Sequence, residues 1–541
     1  MSSNDARALL QAIKADNATY VMNIVSNPNN KTKINVDMND STIPKPFNGK
    51  MTPLQASAYC GAINCFNYLW QSGYPRDPVS SSSPNLAHCA VAGGNVTIVN
   101  FLAQTEISFE EVGFTAIRFW KNDIFTWLLQ SKCPNINIRS KDGQKSYLHV
   151  AVESGNLQAI QYFVGCGFDL NSADKVNNTP LHSAAMHSRL DSLQVLLSLP
   201  AVAINARNDE GFTALHLCIK HDFLEGFKLL LMRTDVNVNI GTKNAITPIL
   251  MAVKDQKLEY VRILTTRPDI RADLQSTNHE SPLILAAAGA SFEIFSMLLM
   301  MQTSNINTTD HEGNTVLIIA CKNEKEQHVN TIIRDPRIRI NARNRRGYTA
   351  LHFAVEGKNI NILRMLMAHP KLKINRLTAD FSTPLLLCIK KKNKVALNEI
   401  IVHPKIRVNR ANQNGETPFS EAVKQGDIDI ARILIQHPKL KLEKKNGRMQ
   451  TVMHIAAAMS NPDMLTFLVS TRTFDLNAID EQWNTPLHIA AMNSSDKALR
   501  VFIQIPAINP FLMNKDGLMP INVTKNEVNQ GLVSQMMQRT R

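Results

Sequence analysis

Apolar residues recur along most of the chain in short runs at helical spacing, separated by polar turns. Leu181, Ala184 and Ala185 make one kind of run. Ile428, Ile430, Ile433, Leu434 and Ile435 make a second kind, which follows the polar turn Gln425-Gly426-Asp427. Runs with this spacing predict short helices with one apolar face. Proline follows the second run at Pro200, Pro268, Pro336, Pro370, Pro404, Pro438 and Pro506. Proline cannot continue a helix, so this position predicts a helix end. A short piece such as Ile204-Asn205-Ala206 or Ile340-Asn341-Ala342 comes next and reads as extended. A glycine turn closes the pattern at Gly211, Gly313, Gly347, Gly415 and Gly517. The predicted unit is helix, turn, helix, hairpin-like loop.

The units are in register. Thr179-Pro180-Leu181-His182 returns as Thr213-Ala214-Leu215-His216, Thr349-Ala350-Leu351-His352 and Thr485-Pro486-Leu487-His488. Between positions 179 and 519 every step is 34 residues. Threonine at a helix start caps an orphan backbone N–H, and proline fits the first helical position. A fixed period of this length is the signature of a repeat array.

The segments Asn205 to His216 and Asn341 to His352 resemble the ankyrin repeat. The usual ankyrin period is ~33 residues, so the extra residue here reads as an insertion in the proline-containing loop. The loop His369-Pro370-Lys371-Leu372-Lys373-Ile374-Asn375 resembles those of large ankyrin families of protists. The resemblance implies an all-α ankyrin-repeat solenoid of about 15 helix-turn-helix units with short β-hairpin loops. Four segments are expected: an N-terminal helical cap and loop over 1–50, irregular repeats over 51–178, ten regular repeats over 179–518 and a C-terminal capping half-repeat over 519–541. Residues 51–178 are open to a second reading, as a separate small helical domain. Residues 5 to 26 read as a helix pair, with Ala8, Leu9, Ala12 and Ile13 on one face and Tyr20, Val21, Ile24 and Val25 on another. The stretch holding Pro44 and Pro46 reads as a long loop, and Ser80 to Ser83 as a short one. Pro520 to Met537 is expected to form a last helix pair, with Asn526, Asn529 and Gln530 on an outer face.

Length and composition change this picture little. At 541 residues an ordinary chain would hold several domains, but a repeat array is one quasi-linear body. The eight cysteines show no disulfide framework or metal-ligand spacing. Cys89, Cys218, Cys321 and Cys388 fall in first helices and read as small core residues. Cys60, Cys65, Cys133 and Cys166 read as reduced thiols. Met1 to Leu10 has no secretory character, and the apolar stretch Leu283 to Met301 is interrupted by Gly289-Ala290-Ser291 and Glu293. The expectation is a cytoplasmic monomer, with a nuclear location left open.

Seven histidines fill the last slot of the tetrapeptide: His88, His149, His182, His216, His352, His454 and His488. Copies one repeat apart lie ~10 Å from each other, whereas metal ligands need ~2 Å bonds to one ion. By the resemblance, these histidines hydrogen-bond backbone between repeats. No phosphate-binding glycine loop, nucleophile elbow or metalloprotease helix motif is present. The reading is therefore non-enzymatic, with no cofactor and no small-molecule substrate.

Charge is the feature that departs from a plain array. Residues 320–450 carry 27 Lys and Arg against 11 Asp and Glu, while the rest of the chain carries 32 against 34. The excess concentrates in two slots of the repeat: Arg337 and Arg339, Lys371 and Lys373, Lys405 and Arg407, Lys439 and Lys441. Alternate residues of an extended segment share a face, so the pairs should stack into a ladder. Arg345 and Arg346 sit at a hairpin tip, and Lys390, Lys391, Lys392 and Lys394 at an inter-helix turn. Such a ladder fits acidic protein segments, anionic lipid or nucleic acid, and is also what a solvated edge would look like. The lysine run 390–394 also has the composition of a nuclear-import signal. By the resemblance, partners bind the concave face through hairpin tips and first helices. There lie Asp209, Glu210, Phe212, Glu312, Tyr348, Phe381, Glu481, Gln482 and Trp483. The sequence leaves open whether Trp483 is exposed or packs between hairpins. The leading reading is a protein-binding scaffold or adaptor that takes an acidic segment on the 320–450 block. The alternative is a peripheral module for anionic lipid or nucleic acid.

Overall fold

The computed structural model describes residues 3–26, 35–38, 47, 49–76, 84–132, 135–459, 461–471, 474–493 and 495–540. Pro44, Pro46, Ser80 to Ser83, Cys133 and Thr473 lie outside the described residues. Among those described there are 31 α-helices, of which the first 30 form fifteen consecutive pairs. The chain divides into two compact units, Met1–Met251 and Ala252–Arg541.

In the first unit, helices Ser3–Lys14 and Ala18–Val25 precede the pairs Pro53–Cys60 with Ile63–Gln71 and Leu86–Gly93 with Val96–Ala103. Val112–Arg118 with Asn122–Ser131 and Tyr147–Ser154 with Leu157–Gly165 follow in the same rhythm. Leu9, Ala12, Ile13, Val21 and Val25 are buried as the apolar pattern predicts, but Tyr20 is 45% exposed. Gly93 shows how closely neighbouring first helices approach: a Cβ there would lie 2.4 Å from the carbonyl oxygen of Tyr59.

The second unit contains the pairs Val316–Lys322 with Glu326–Ile333, Ala350–Glu356 with Ile360–Met367, Pro384–Lys390 with Lys394–Ile401, and Pro418–Lys424 with Ile428–Ile435. Helices this short are unstable alone, so packing must hold them. First helices lie between two neighbours and are buried almost all round, as in Pro384 to Ile389. Second helices are amphipathic: Ile430, Ala431 and Leu434 are buried, while Asp429 and Arg432 face outward. The C-terminal pair is not formed. A single 3₁₀ turn, Pro520–Val523, leads to one helix, Glu527–Thr540. Asn526 caps that helix, accepting from the Asn529 N–H at 2.7 Å. Asn529 is buried rather than on an outer face, and its side chain makes no hydrogen bond.

The threonine caps form at Thr315, Thr383, Thr417 and Thr485, whereas the hydroxyls of Thr179, Thr213, Thr349 and Thr451 lie 2.9 Å from Nδ1 of the slot histidine and accept no backbone N–H. Thr485 accepts from the N–H of His488 at 3.4 Å, and the Thr485 N–H donates to His488 Nδ1 at 3.1 Å. The loops between repeats close as tight turns. Oδ1 of Asn344, for example, accepts from the N–H groups of Arg346 and Tyr348 at 3.0 and 2.8 Å. Among the described residues, strand pairing is confined to Val36–Asp37 with Lys50–Met51 and a bridge between Thr309 and Thr315. The apolar stretch 283–301 is two helices, Pro282–Ala288 and Phe292–Met300, and no described helix is long and apolar enough to cross a membrane.

Candidate functional site

The slot histidines are spent on structure. Nε2 of His149, His182, His216 and His454 lies 2.9 Å from the carbonyl oxygens of Asn178, Phe212, Ile246 and Asn484, and His488 is 3.0 Å from that of Leu518. Each therefore closes its own helix cap through Nδ1 and ties it to the next repeat through Nε2–H. Gln55 does the same work in the Pro53–Cys60 helix: its Oε1 accepts from the Thr52 N–H and its Nε2 donates to the Pro84 carbonyl, both at 2.9 Å. At His352, Nε2 makes no hydrogen bond. Burial pushes the pKa of His216 and of His352 down to about 4, outweighing the carbonyls close to each ring. Burial likewise lowers His149, His182, His454 and His488.

The seven described cysteines are free, and Cys65, Cys89, Cys218, Cys321 and Cys388 are buried. Burial raises the pKa of each of these five thiols, that of Cys65 to about 12, which keeps them protonated and unreactive at neutral pH. Among the described residues, no group of three or more His, Cys, Asp or Glu side chains could hold a metal ion.

The ladder residues all lie on the surface of the second unit. Arg337, Arg339, Lys371, Lys373, Lys405, Arg407, Lys439 and Lys441 are exposed and alternate with the apolar residues Ile338, Leu372, Ile406 and Leu440, which are half-buried or buried. The segments are not extended strands, however. Each is a pair of successive turns: the Leu372 N–H donates to His369 O at 3.0 Å and the Arg376 N–H to Lys373 O at 3.3 Å.

Two devices impose this shape. Nδ1 of His369, His403 and His437 accepts from the N–H of Lys371, Lys405 and Lys439, each at 3.2 Å. The second device is an asparagine from the preceding repeat. Asn341 donates to the Lys371 carbonyl and accepts from the Lys373 N–H, both at 2.7 Å. Asn375 grips Lys405 and Arg407 at 2.6 and 2.9 Å, and Asn409 grips Lys439 and Lys441 at 2.6 and 2.8 Å. Asn307 holds Arg337 and Arg339 in the same way at 2.9 and 2.8 Å. The recurrence of asparagine in this slot was visible in the sequence. Its reach into the following repeat was not.

The cations then separate into two groups. Arg337 is paired with Asp335 at 2.6 Å. Lys390 lies 3.4 Å from Asp380, Lys391 3.7 Å from Glu356, and Lys394 2.6 Å from Asp429. Among the described residues, Arg339, Lys371, Lys373, Lys405, Arg407, Lys439 and Lys441 have no carboxylate partner. The lysine run 390–394 spans the end of one helix and the start of the next, so it is not available as an extended peptide.

The hairpin tips sort the aromatic candidates. Tyr348 is half-buried against His352 and Phe353, with Arg346 5.1 Å from its ring, and Arg345 beside it is exposed. Phe212 packs toward His216 with Lys220 4.9 Å from its ring. Phe381 and Trp483 remain 48% and 53% exposed. Both occupy a slot held at positive φ, where Gly211, Gly313, Gly347, Gly415 and Gly517 stand in other repeats. A bulky residue in the left-handed region costs ~1–2 kcal/mol, and glycine gives back ~0.5–1 kcal/mol of that through its extra chain freedom when unfolded. Phe381→Gly or Trp483→Gly is thus expected to raise stability by about 0.5–1 kcal/mol, read as a higher guanidinium midpoint. A lower midpoint for both would mean that these rings pack after all.

A stack of capped helix pairs tied by slot histidines defines a helical repeat protein. A profile of three ankyrin-repeat copies matches residues 113–208, 148–242 and 283–378, and one of many ankyrin copies matches 419–469 and 453–503. Together they cover more than half of the chain, which belongs to the ankyrin-repeat family, one of protein–protein interaction modules typically without catalytic activity. The chain is similar to Ankyrin repeat protein nuc-2 of Neurospora crassa, with 33% identity over 79 residues, 14% of this chain and 7% of that protein. It is similar to human Protein phosphatase 1 regulatory subunit 27, with 41% identity over 64 residues, 12% of this chain and 41% of that protein. The chain thus spans less than half the length of either relative. Among solved structures, the ankyrin repeat domain of Bcl-3 aligns over 41% of this chain and 100% of its own, with 16% identity and a TM-score of 0.39.

Proposed function

We propose that this chain is a non-enzymatic scaffold or adaptor that binds an acidic segment of a partner protein along the ladder from Arg339 to Lys441. One observation carries the reading. Seven cations stand exposed without carboxylate partners, on backbone fixed by asparagine and histidine from within the array. The asparagine tie also holds repeats without these cations, as Asn171 does on Ala201 and Ala203 and Asn477 on Ala507 and Asn509, so it belongs to the stack. What sets this block apart is the unpaired charge placed on it, and a held charge loses less freedom on binding. The exposed rings of Phe381 and Trp483 supply apolar anchors at the hairpin tips.

The test is a pull-down at low and moderate salt, comparing the native chain with a variant reversed to Glu at Lys371, Lys373, Lys405 and Arg407. Proteins retained by the native chain at moderate salt should leave the variant, an affinity loss of at least about tenfold. Equal recovery by both would make the ladder a solvated edge. Recovery only of lipid or nucleic acid, stripped by moderate salt, would favour a peripheral polyanion-binding module.

A further inference from the structure

The ladder borders three hollows that share Arg407. The first, about 480 Å³, is lined by Lys373, Ile374, Lys405 and Arg407 among others. Another, about 840 Å³, has Ile406, Val408 and Leu442 as its apolar lining, and Arg407, Arg410, Lys439, Lys441 and Lys444 with one acid, Glu443, as its charged lining. A smaller hollow of about 250 Å³ adjoins the first, sharing Asn375, Arg376 and Arg407 with it, and is lined also by Arg343, Leu377 and Arg410.

Four arginines therefore line one small space. Arg376 and Arg410 come from one slot of successive repeats, where Ala342 and Lys444 stand on either side. None of the four has a carboxylate partner among the described residues. Arg343 spends one N–H on the Gly347 carbonyl at 3.3 Å. Nε of Arg376 is shielded from solvent and makes no hydrogen bond. Like charges gathered without a counter-charge repel one another, and a donor left without an acceptor costs ~1–3 kcal/mol. The charge repulsion is relieved when an anion enters. One carboxylate offers two oxygens and one charge, too little for four forked donors. A phosphate monoester offers three oxygens and close to two charges, and guanidinium forks match it in bidentate geometry.

We infer that this hollow is a phosphate-binding subsite, and that its occupant is a phosphorylated serine or threonine within the acidic segment that lies on the ladder. The inference rests on the ladder reading above. The joined hollows along the ladder favour a peptide over a lipid head group. Cationic and apolar lining continues from the arginines into the 480 and 840 Å³ hollows, as an extended chain with acidic and apolar side chains requires, whereas a head group would fill the small hollow alone.

The probe is a labelled synthetic peptide of alternating Glu and Leu with one central phosphoserine. Three controls carry serine, a single glutamate or two adjacent glutamates at that place, the last matching the phosphate in charge. Fluorescence anisotropy on the full chain should show the phosphopeptide binding at least about tenfold tighter than the two-glutamate peptide. Arg376→Gln with Arg410→Gln should abolish that ratio while leaving the serine peptide bound. Lys371→Gln with Lys439→Gln removes the same charge outside the hollow and should weaken all peptides alike, leaving the ratio intact. Circular dichroism at pH 7 checks that every variant is folded. A ratio near one in the native chain overturns the phosphate subsite. Failure of every peptide to bind overturns the ladder reading itself. Vesicles containing a phosphoinositide that bind while the phosphopeptide does not would assign the arginines to a lipid head group and overturn the peptide assignment.

Discussion

Lowering the pH from 7 to 4.5 is expected to strip several kcal/mol of stability from each of the two units. His216 lies in one and His352 in the other, and burial holds both near pKa 4 against an ordinary value near 6.5. Between those values the unfolded chain binds a proton that the folded chain cannot accept without breaking a cap. Stability from these groups is therefore complete above pH 6.5 and is lost as pH falls toward 4. A shift of this size corresponds to about 3 kcal/mol per histidine. His149 and His182 in the first unit, and His454 and His488 in the second, are shifted the same way and add to the loss. Denaturant melts across this range measure it. The specific control comes from the chain's own Gln55, which fills the histidine slot with a side chain that does not titrate. His216→Gln should fold at pH 7 and should flatten the pH dependence of the first unit by about 3 kcal/mol. A variant whose melts track the native chain at every pH would remove the slot histidine from the acid response.

The second large effect concerns the asparagines. Asn375→Ala with Asn409→Ala deletes four inter-repeat hydrogen bonds. At about 1 kcal/mol per bond, the second unit should lose about 4 kcal/mol, somewhat less where water replaces the amide. Trimming the cations themselves, as in Lys405→Ala with Lys439→Ala, should cost little stability, because those side chains are exposed and unpaired. The two double variants thus separate the support from the charge it carries. The asparagine variant should also weaken binding of acidic peptide without altering net charge. If it retained full affinity, the ladder would not need a fixed backbone, and the strongest argument for a built surface would fall.

Several features were legible in the residues because they are local. The 34-residue period, the threonine cap and the proline stop each act within a turn or two of helix, so Thr485, Pro486 and Pro506 announce their roles. Register then supplied the packing, since a face apolar in every repeat must meet its copy in the next. The outer-face placement of Asn529 failed this reasoning. Asn529 looked like an outer polar residue because helical periodicity does not reveal what covers the last face of a stack.

By itself, then, the sequence determined the repeat, its helices, its family resemblance and the block where positive charge accumulates. Only the tertiary structure decided which of those charges are free. Lys390, Lys391 and Lys394 carry the same side chain as Lys371 and Lys439, yet they meet carboxylates that come from 10 to 35 residues away. The same holds for the grip of Asn375 on Arg407, the convergence of Arg343, Arg376 and Arg410 on one hollow, and the exposure of Trp483. Each depends on the direction of a side chain relative to a neighbouring repeat. A linear pattern fixes the spacing of such residues but not the side of the loop from which they emerge.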